Sequence, residues 1–141
     1  MTLIERPERW DELEVGYKES PIHSVLGLSL KVMAAGEVEI LYDGRKNATN
    51  RRGNPSGGAL AQMVDSAVMQ SVATLINKAD LITTLELKIN YLRAAEPGTP
   101  LVAKGRIEHC GKTTALGVVR IEDMQDRVVA VAMVTISIRR A

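Results

Sequence analysis

Over residues 84–92 the chain reads TLELKINYL, in which Leu85, Leu87, Ile89 and Tyr91 alternate with Glu86, Lys88 and Asn90. That two-residue period is the mark of a half-buried β-strand. Strand-like stretches follow in TPLVAKGRIEHC, TTALGVVRIED and DRVVAVAMVTISI. Upstream, SVLGLSLKVMAAGEVEILYD gives two more, divided by the turn AAGE. Between the groups lies one long helical pattern, from about Gly58 to Ile76. Leu60, Val64 and Val68 recur every fourth residue, and Met63, Ala67, Met69 and Val72 make almost the whole circumference apolar. A helix that is apolar all round must be covered on most sides. Near the start, ERPERWDELEV reads as a short amphipathic helix with Trp10 and Leu13 facing inward.

The connections refine this outline. DGRKNATNRRGNPSGG, polar and glycine-containing, reads as an ordered loop leading into the long helix. The breaks AAEPGTP, CGK and DMQD are too short for crossover helices, so successive late strands are expected to pair as antiparallel hairpins. In VVAVAMV both alternating faces are apolar, which places that strand centrally in a sheet covered on both sides. One helix covers one face; the other invites a second subunit. The predicted architecture is α+β, an antiparallel sheet of about six strands curled around one long central helix. Residues 1–141 form a single domain, with residues 1–20 as an N-terminal helical extension.

Composition narrows the chemistry. The chain has 141 residues, 45% of them hydrophobic and 25% charged, which is globular. A net charge of +1 with both signs spread along the chain gives no footprint for nucleic acid. MTLIERPERWDELEV carries acids and no apolar core, unlike a secretory signal, and no apolar run approaches a membrane span. The single Cys110 fits a reducing compartment, and His23 and His109 stand too far apart for metal-ligand spacing. The expectation is a cytoplasmic protein without metal, cofactor, nucleic-acid partner or membrane association.

Against this background Asp65 stands out. It is the only charged residue of GNPSGGALAQMVDSAVMQSV, and its one-turn neighbours Ala61, Gln62, Val68 and Met69 include no cation. It is an acid hydrogen-bonded elsewhere in the core, one facing a wet interface, or a base. Withdrawal from water makes a carboxylate a better proton acceptor, which suits the last role. Gly57 and Gly58 either permit an unusual turn before the helix or bare its first amides. Those amides have no internal acceptor and lie at the positive end of the helix dipole, where a developing oxyanion is stabilised.

The stretch NRRGNPSGGALAQMVDSA closely resembles the N-x-x-G-x-x-H-G-G…D-x-A signature of hotdog-fold acyl-CoA thioesterases of the phenylacetic-acid-degradation type. Asn50, Gly53, Gly57, Gly58, Asp65 and Ala67 hold the family positions, and TTLELKINYLRAA resembles the family's hydroxyl-bearing strand ending in Tyr-Leu-Arg. One position departs: Ser56 stands where the family has histidine. The resemblance implies that Asp65 activates water against a thioester whose carbonyl is polarised by the Gly57 amide. Asn50 would help place the carbonyl or the water, and Thr84 would orient the water. Read without the resemblance, Asn50 is a loop cap and Thr84 an ordinary strand threonine. Gly58, Ser56 and Gln62 are taken as substrate contacts. So are Arg93, Lys112 and Thr113, as candidate partners of the coenzyme's phosphates along with Arg51 and Arg52, although each cation alone reads as a surface charge. GKTT is not a phosphate loop, because Gly105 precedes Gly111 by one residue too many and the segment joins two strands.

Asp65 lies seven residues beyond Gly58, roughly 10 Å along a helix axis. That is too far for both to act on one small group within one chain, which makes a site between subunits the economical answer; the resemblance implies a homodimer, itself half of a tetramer. An acyl-enzyme through Asp65 is an alternative mechanism. A non-catalytic acyl-CoA sensor is an alternative function, favoured by Ser56. A hydratase fits less well, since neither His23 nor His109 belongs to the loop and helix. With no phenylalanine, and only Trp10 and three tyrosines, the composition leans towards an aliphatic or unusual acyl chain.

Overall fold

A computed structural model describes residues 7–141. Two short helices, α1 (Pro7–Glu19) and α2 (Pro21–Leu26), lead into strands β1 (Leu28–Ala34) and β2 (Glu37–Tyr42). A loop with one 3-10 turn (Lys46–Ala48) precedes the long helix α3 (Gly57–Ala73). Four strands follow: β3 (Leu81–Tyr91), β4 (Leu101–Cys110), β5 (Thr114–Asp123) and β6 (Val128–Arg139). They form one antiparallel sheet in the order β1-β2-β4-β5-β6-β3. No helix among the described residues is long and apolar enough to cross a membrane.

The α+β architecture expected from the pattern is present, with two differences in connection. Strand β3 pairs with β6 and β4 pairs with β2, so β3 and β4 are not hairpin partners. Three strand spacings separate them, about 14 Å, and the nine residues 92–100 span up to about 30 Å when extended. Because β3 and β4 are also antiparallel, the chain returns at the same end of the sheet and needs no crossover helix. The second difference is α2, where SVL had read as strand. Pro21 sits in its first turn and Gly27, at φ 73°, closes it in the left-handed conformation.

The helix α3 lies across the inner face of the sheet. Ala59, Leu60, Met63, Val64, Ala67, Val68 and Val72 are buried along it. They meet Val38 and Ile40 of β2, Leu101 and Ala103 of β4, Val119 and Ile121 of β5, and Val134 and Ile136 of β6 in one core. Two glycines bring helix and sheet unusually close. A methyl group at Gly105 would fall 2.8 Å from the main-chain oxygen of Ala67, and one at Gly117 would fall 2.7 Å from Val68 Cγ1. Trp10 and Leu13 of α1 pack against this core, as the amphipathic pattern predicts.

The strand β6 lies between β5 and β3, and on its outer side Val131 is half-buried and Met133 is 49% exposed. At the sheet's edge, β3 presents eleven residues paired on one side only, with Leu81, Leu85 and Tyr91 more than half exposed.

Candidate active site

The loop into α3 is ordered by its own hydrogen bonds, as its composition predicts. The Asn50 amide donates to the Asn54 carbonyl at 2.8 Å, and the Gly53 amide to the Asn50 carbonyl at 3.0 Å. The Asn50 side-chain oxygen accepts from the Arg52 amide at 2.9 Å, an Asx turn that closes the loop. Its side-chain nitrogen has no partner among the described residues, and the residue is exposed.

Ser56 is the N-cap of α3. Its backbone is extended, and its hydroxyl oxygen accepts from the Ala59 amide at 3.1 Å. The residue at the family's histidine position therefore has a structural task that a histidine would not perform in the same way. Its hydroxyl proton remains available to a substrate acceptor. Gly57 and Gly58 follow, both exposed, with main-chain N–H groups that have no partner among the described residues. Neither has a positive φ, so the glycines are there for space and not for a turn. A methyl group at Gly57 would press to 3.3 Å from the Tyr91 ring, whose hydroxyl donates to the Gly57 carbonyl at 2.7 Å.

Two turns further along α3, Asp65 is half-buried and accepts a hydrogen bond from the Thr84 hydroxyl at 2.5 Å. No ion pair among the described residues includes it. Thr84 engages Oδ1, and Oδ2 has no protein partner among them. The strand's alternation alone would turn Leu85 inward and Thr84 outward. A β-bulge between Thr84 and Glu86 reverses this: Leu85 is 62% exposed and Thr84 points to α3. Bulges of this kind re-aim a side chain beside a site.

Beside Asp65 the N-terminal helices contribute groups that no spacing in the sequence indicated. Gln62 Nε2 lies 3.3 Å from His23 Nε2 and 3.3 Å from Ser66 Oγ. The His23 ring stacks on Tyr17, with centroids 3.7 Å apart. Tyr17 is 3% exposed, and its hydroxyl lies close to Ser66 without a hydrogen bond of regular geometry. Burial pushes its phenol up to about 12; Ser66 works against this and the charge of Asp65 adds to it. His23, distant in sequence from the loop and helix, is thus brought against Gln62 and Ser66 beside Asp65.

One chain therefore assembles two half-sites. Asn50, Ser56, Gly57, Gly58 and Tyr91 gather at the N-terminus of α3, while Asp65, Thr84 and Gln62 gather near its middle. Arg51, Arg52 and Arg93 are exposed at the first end. Lys112 and Thr113 lie in the turn between β4 and β5, at the opposite end of the sheet from Gly57. Their carbonyls accept from Arg140 and from Ile138, and both residues are exposed.

Residues 53–130, more than half of the chain, match the family model described as the thioesterase superfamily. In structure the chain is similar to a thioesterase of Haemophilus influenzae, with a TM-score of 0.88 at 14% identity over 99% of this chain and 96% of that one. It is similar to a mutant thioesterase of Pseudomonas aeruginosa, with a TM-score of 0.87 at 17% identity over 97% and 98%. The PaaI protein from the E. coli phenylacetic acid degradation operon aligns with a TM-score of 0.80 at 20% identity over 91% of each chain. At these identities the likeness establishes the fold. No curated protein matches the chain in sequence.

Proposed function

This chain belongs to the thioesterase superfamily and has the hotdog fold, and from that premise we propose that it hydrolyses an acyl-CoA to the free acid and coenzyme A. The observation that carries the proposal is Asp65: a half-buried carboxylate outside every described ion pair, with one oxygen held by Thr84 and the other open. A proton acceptor held in this way suits general-base catalysis. Water attacks the thioester carbonyl as Asp65 takes its proton. The carbonyl oxygen, now negative, is held by the Gly57 amide. Collapse of the tetrahedral intermediate breaks the C–S bond, and the departing thiolate recovers the proton. One such amide donor commonly lowers a barrier by about 3 kcal/mol.

The two half-sites argue for a shared site. The free edge of β3, with Leu81, Leu85 and Tyr91 bare, favours pairing with a second copy. Antiparallel pairing of two such edges lays the Tyr91 end of one strand towards the Leu81 end of the other. The Gly57 amide of one protomer then turns towards the partner subunit's Asp65, and Lys112 and Thr113 approach the same cleft as candidate contacts for the coenzyme. A second pairing through the outer sheet face around Val131 and Met133 would give a tetramer.

The test is thiol release from a panel of short, medium, long and aryl acyl-CoAs by the wild type and Asp65→Asn. A loss of about a hundredfold or more in the variant is expected. Equal rates would remove the base role, and no turnover on any thioester would favour the acyl-CoA sensor, which Ser56 in place of histidine also favours. Co-expression of Asp65→Asn with Gly57→Val tests the shared site. Mixed dimers carry one intact site, so about a quarter of wild-type activity should return from two inactive chains.

A further inference from the structure

The cluster beside Asp65 has a direction built into it. His23 Nδ1 lies 2.8 Å from the main-chain oxygen of Tyr17. A carbonyl only accepts, so Nδ1 carries the ring's proton, and Nε2 of the neutral imidazole is left with a lone pair. That lone pair faces the Gln62 amide at 3.3 Å and the Ser66 hydroxyl at 3.5 Å; at the nearer contact two acceptors would repel, so Gln62 presents its NH2 group. The second amide hydrogen is directed at Ser66 Oγ, also at 3.3 Å. Both donors of Gln62 are therefore spent. Its carbonyl oxygen has no donor among the described residues.

Gln62 precedes Asp65 by three residues, so the two side chains are neighbours on one helix face with Cβ atoms about 5–6 Å apart. Side chains from Cβ atoms this far apart can bring their oxygens to roughly 4.5 Å, the separation of two acceptors that share the hydrogens of one water at about 2.8 Å each. We propose that the Gln62 carbonyl oxygen accepts the second hydrogen of the attacking water while Asp65 removes the first. His23 is the positioning residue that keeps this amide the right way round. The Tyr17 carbonyl thus sets, through the imidazole, which end of Gln62 faces the substrate. No atom is transferred to Gln62 or His23; they fix the orientation of the nucleophile. The inference rests on Asp65 being the base.

The first experiment needs no variant. Nitrogen-15 NMR of the ring in the wild-type protein at neutral pH is expected to show the His23 proton on Nδ1. A proton on Nε2 overturns the proposal. Kinetics on the best acyl-CoA then separate the roles. Gln62→Met and His23→Phe, the latter keeping the stack on Tyr17, are each expected to lower kcat about tenfold while KM moves less than about threefold. The double variant should be no slower than the worse single one. Wild-type kcat in Gln62→Met beside an inactive Asp65→Asn sinks this inference alone. Full activity in Asp65→Asn, or no thioester turnover by the wild type, sinks the underlying reading and the inference with it.

Discussion

Thr84→Val replaces a hydroxyl by a methyl of nearly the same shape and leaves Asp65 Oδ1 without its donor. Hydrogen bonds to charged groups contribute about 1.5–3 kcal/mol. Both residues are half-buried, so water recovers part of this, and a loss of about 1–2 kcal/mol is expected. For a chain of this size that lowers the melting temperature by roughly 3–7 °C. The cleaner measure is a double-mutant cycle of Thr84→Val and Asp65→Ala by denaturant unfolding at fixed protein concentration, which isolates the pair from the side effects of each change. A coupling of about 1–2 kcal/mol is expected. The exposed neighbour Thr83 is the control, since Thr83→Val should stay within about 0.5 kcal/mol of wild type. A coupling near zero would mean that the hydroxyl does not hold the carboxylate, and the bulge would lose its purpose.

Gly117→Ala drives a methyl into Val68, and thermal unfolding should show a loss of about 1–3 kcal/mol with the fold retained. Ser56→Ala removes the cap of α3 and should cost about 1 kcal/mol in chemical denaturation; an unchanged midpoint would free Ser56 for a purely substrate-directed role. The Glu122 carboxyl is held below its ordinary range chiefly by its hydrogen bond to Lys104, with Arg120 adding to this against the cost of burial. Because the folded value is the lower one, this stabilisation is complete above the unfolded value of about 4.3 and is lost as pH falls through the folded one. Melting curves of wild type and Glu122→Gln should therefore differ at pH 7 and converge on acidification below about pH 4. A gap that widens in acid would contradict the sign.

The sheet and the central helix were legible because their periods are unlike and each runs for many residues. What the pattern could not supply were events that interrupt a period. The bulge at Leu85 shifts the phase of β3 by one residue, so alternation alone assigns Thr84 to the wrong face. Its position beside Asp65 was suggested only by resemblance. The pairing of β3 with β6 was hidden by the short segment to β4, which proved long enough to pass two strands. For α2 the sequence does carry a signal: Pro21 at the start and Gly27 at the end frame a six-residue helix. The contact between His23 and Gln62 joins positions 39 residues apart. Nothing local announces such a contact, whereas the loop signature and the lone acid, both local, were visible.

The two bare strand positions beneath α3 have a wider bearing. With Gly105 and Gly117 letting the helix backbone down onto the strands, α3 resembles a screw seated in its thread: sliding by one residue would also demand a turn of about 100°. In the shared site proposed above, this seating fixes Gly57 and Asp65 each within its own chain, and the pairing of the protomers sets the distance between donor and acid. The segments α1, α2 and the loop from Asp43 to Ser56 lie outside the contacts of Gly105 and Gly117 and can vary without disturbing that seating. Under the proposed hydrolysis, diversifying those segments with Tyr17, His23, Asn50 and Ser56 kept should retune which acid is released.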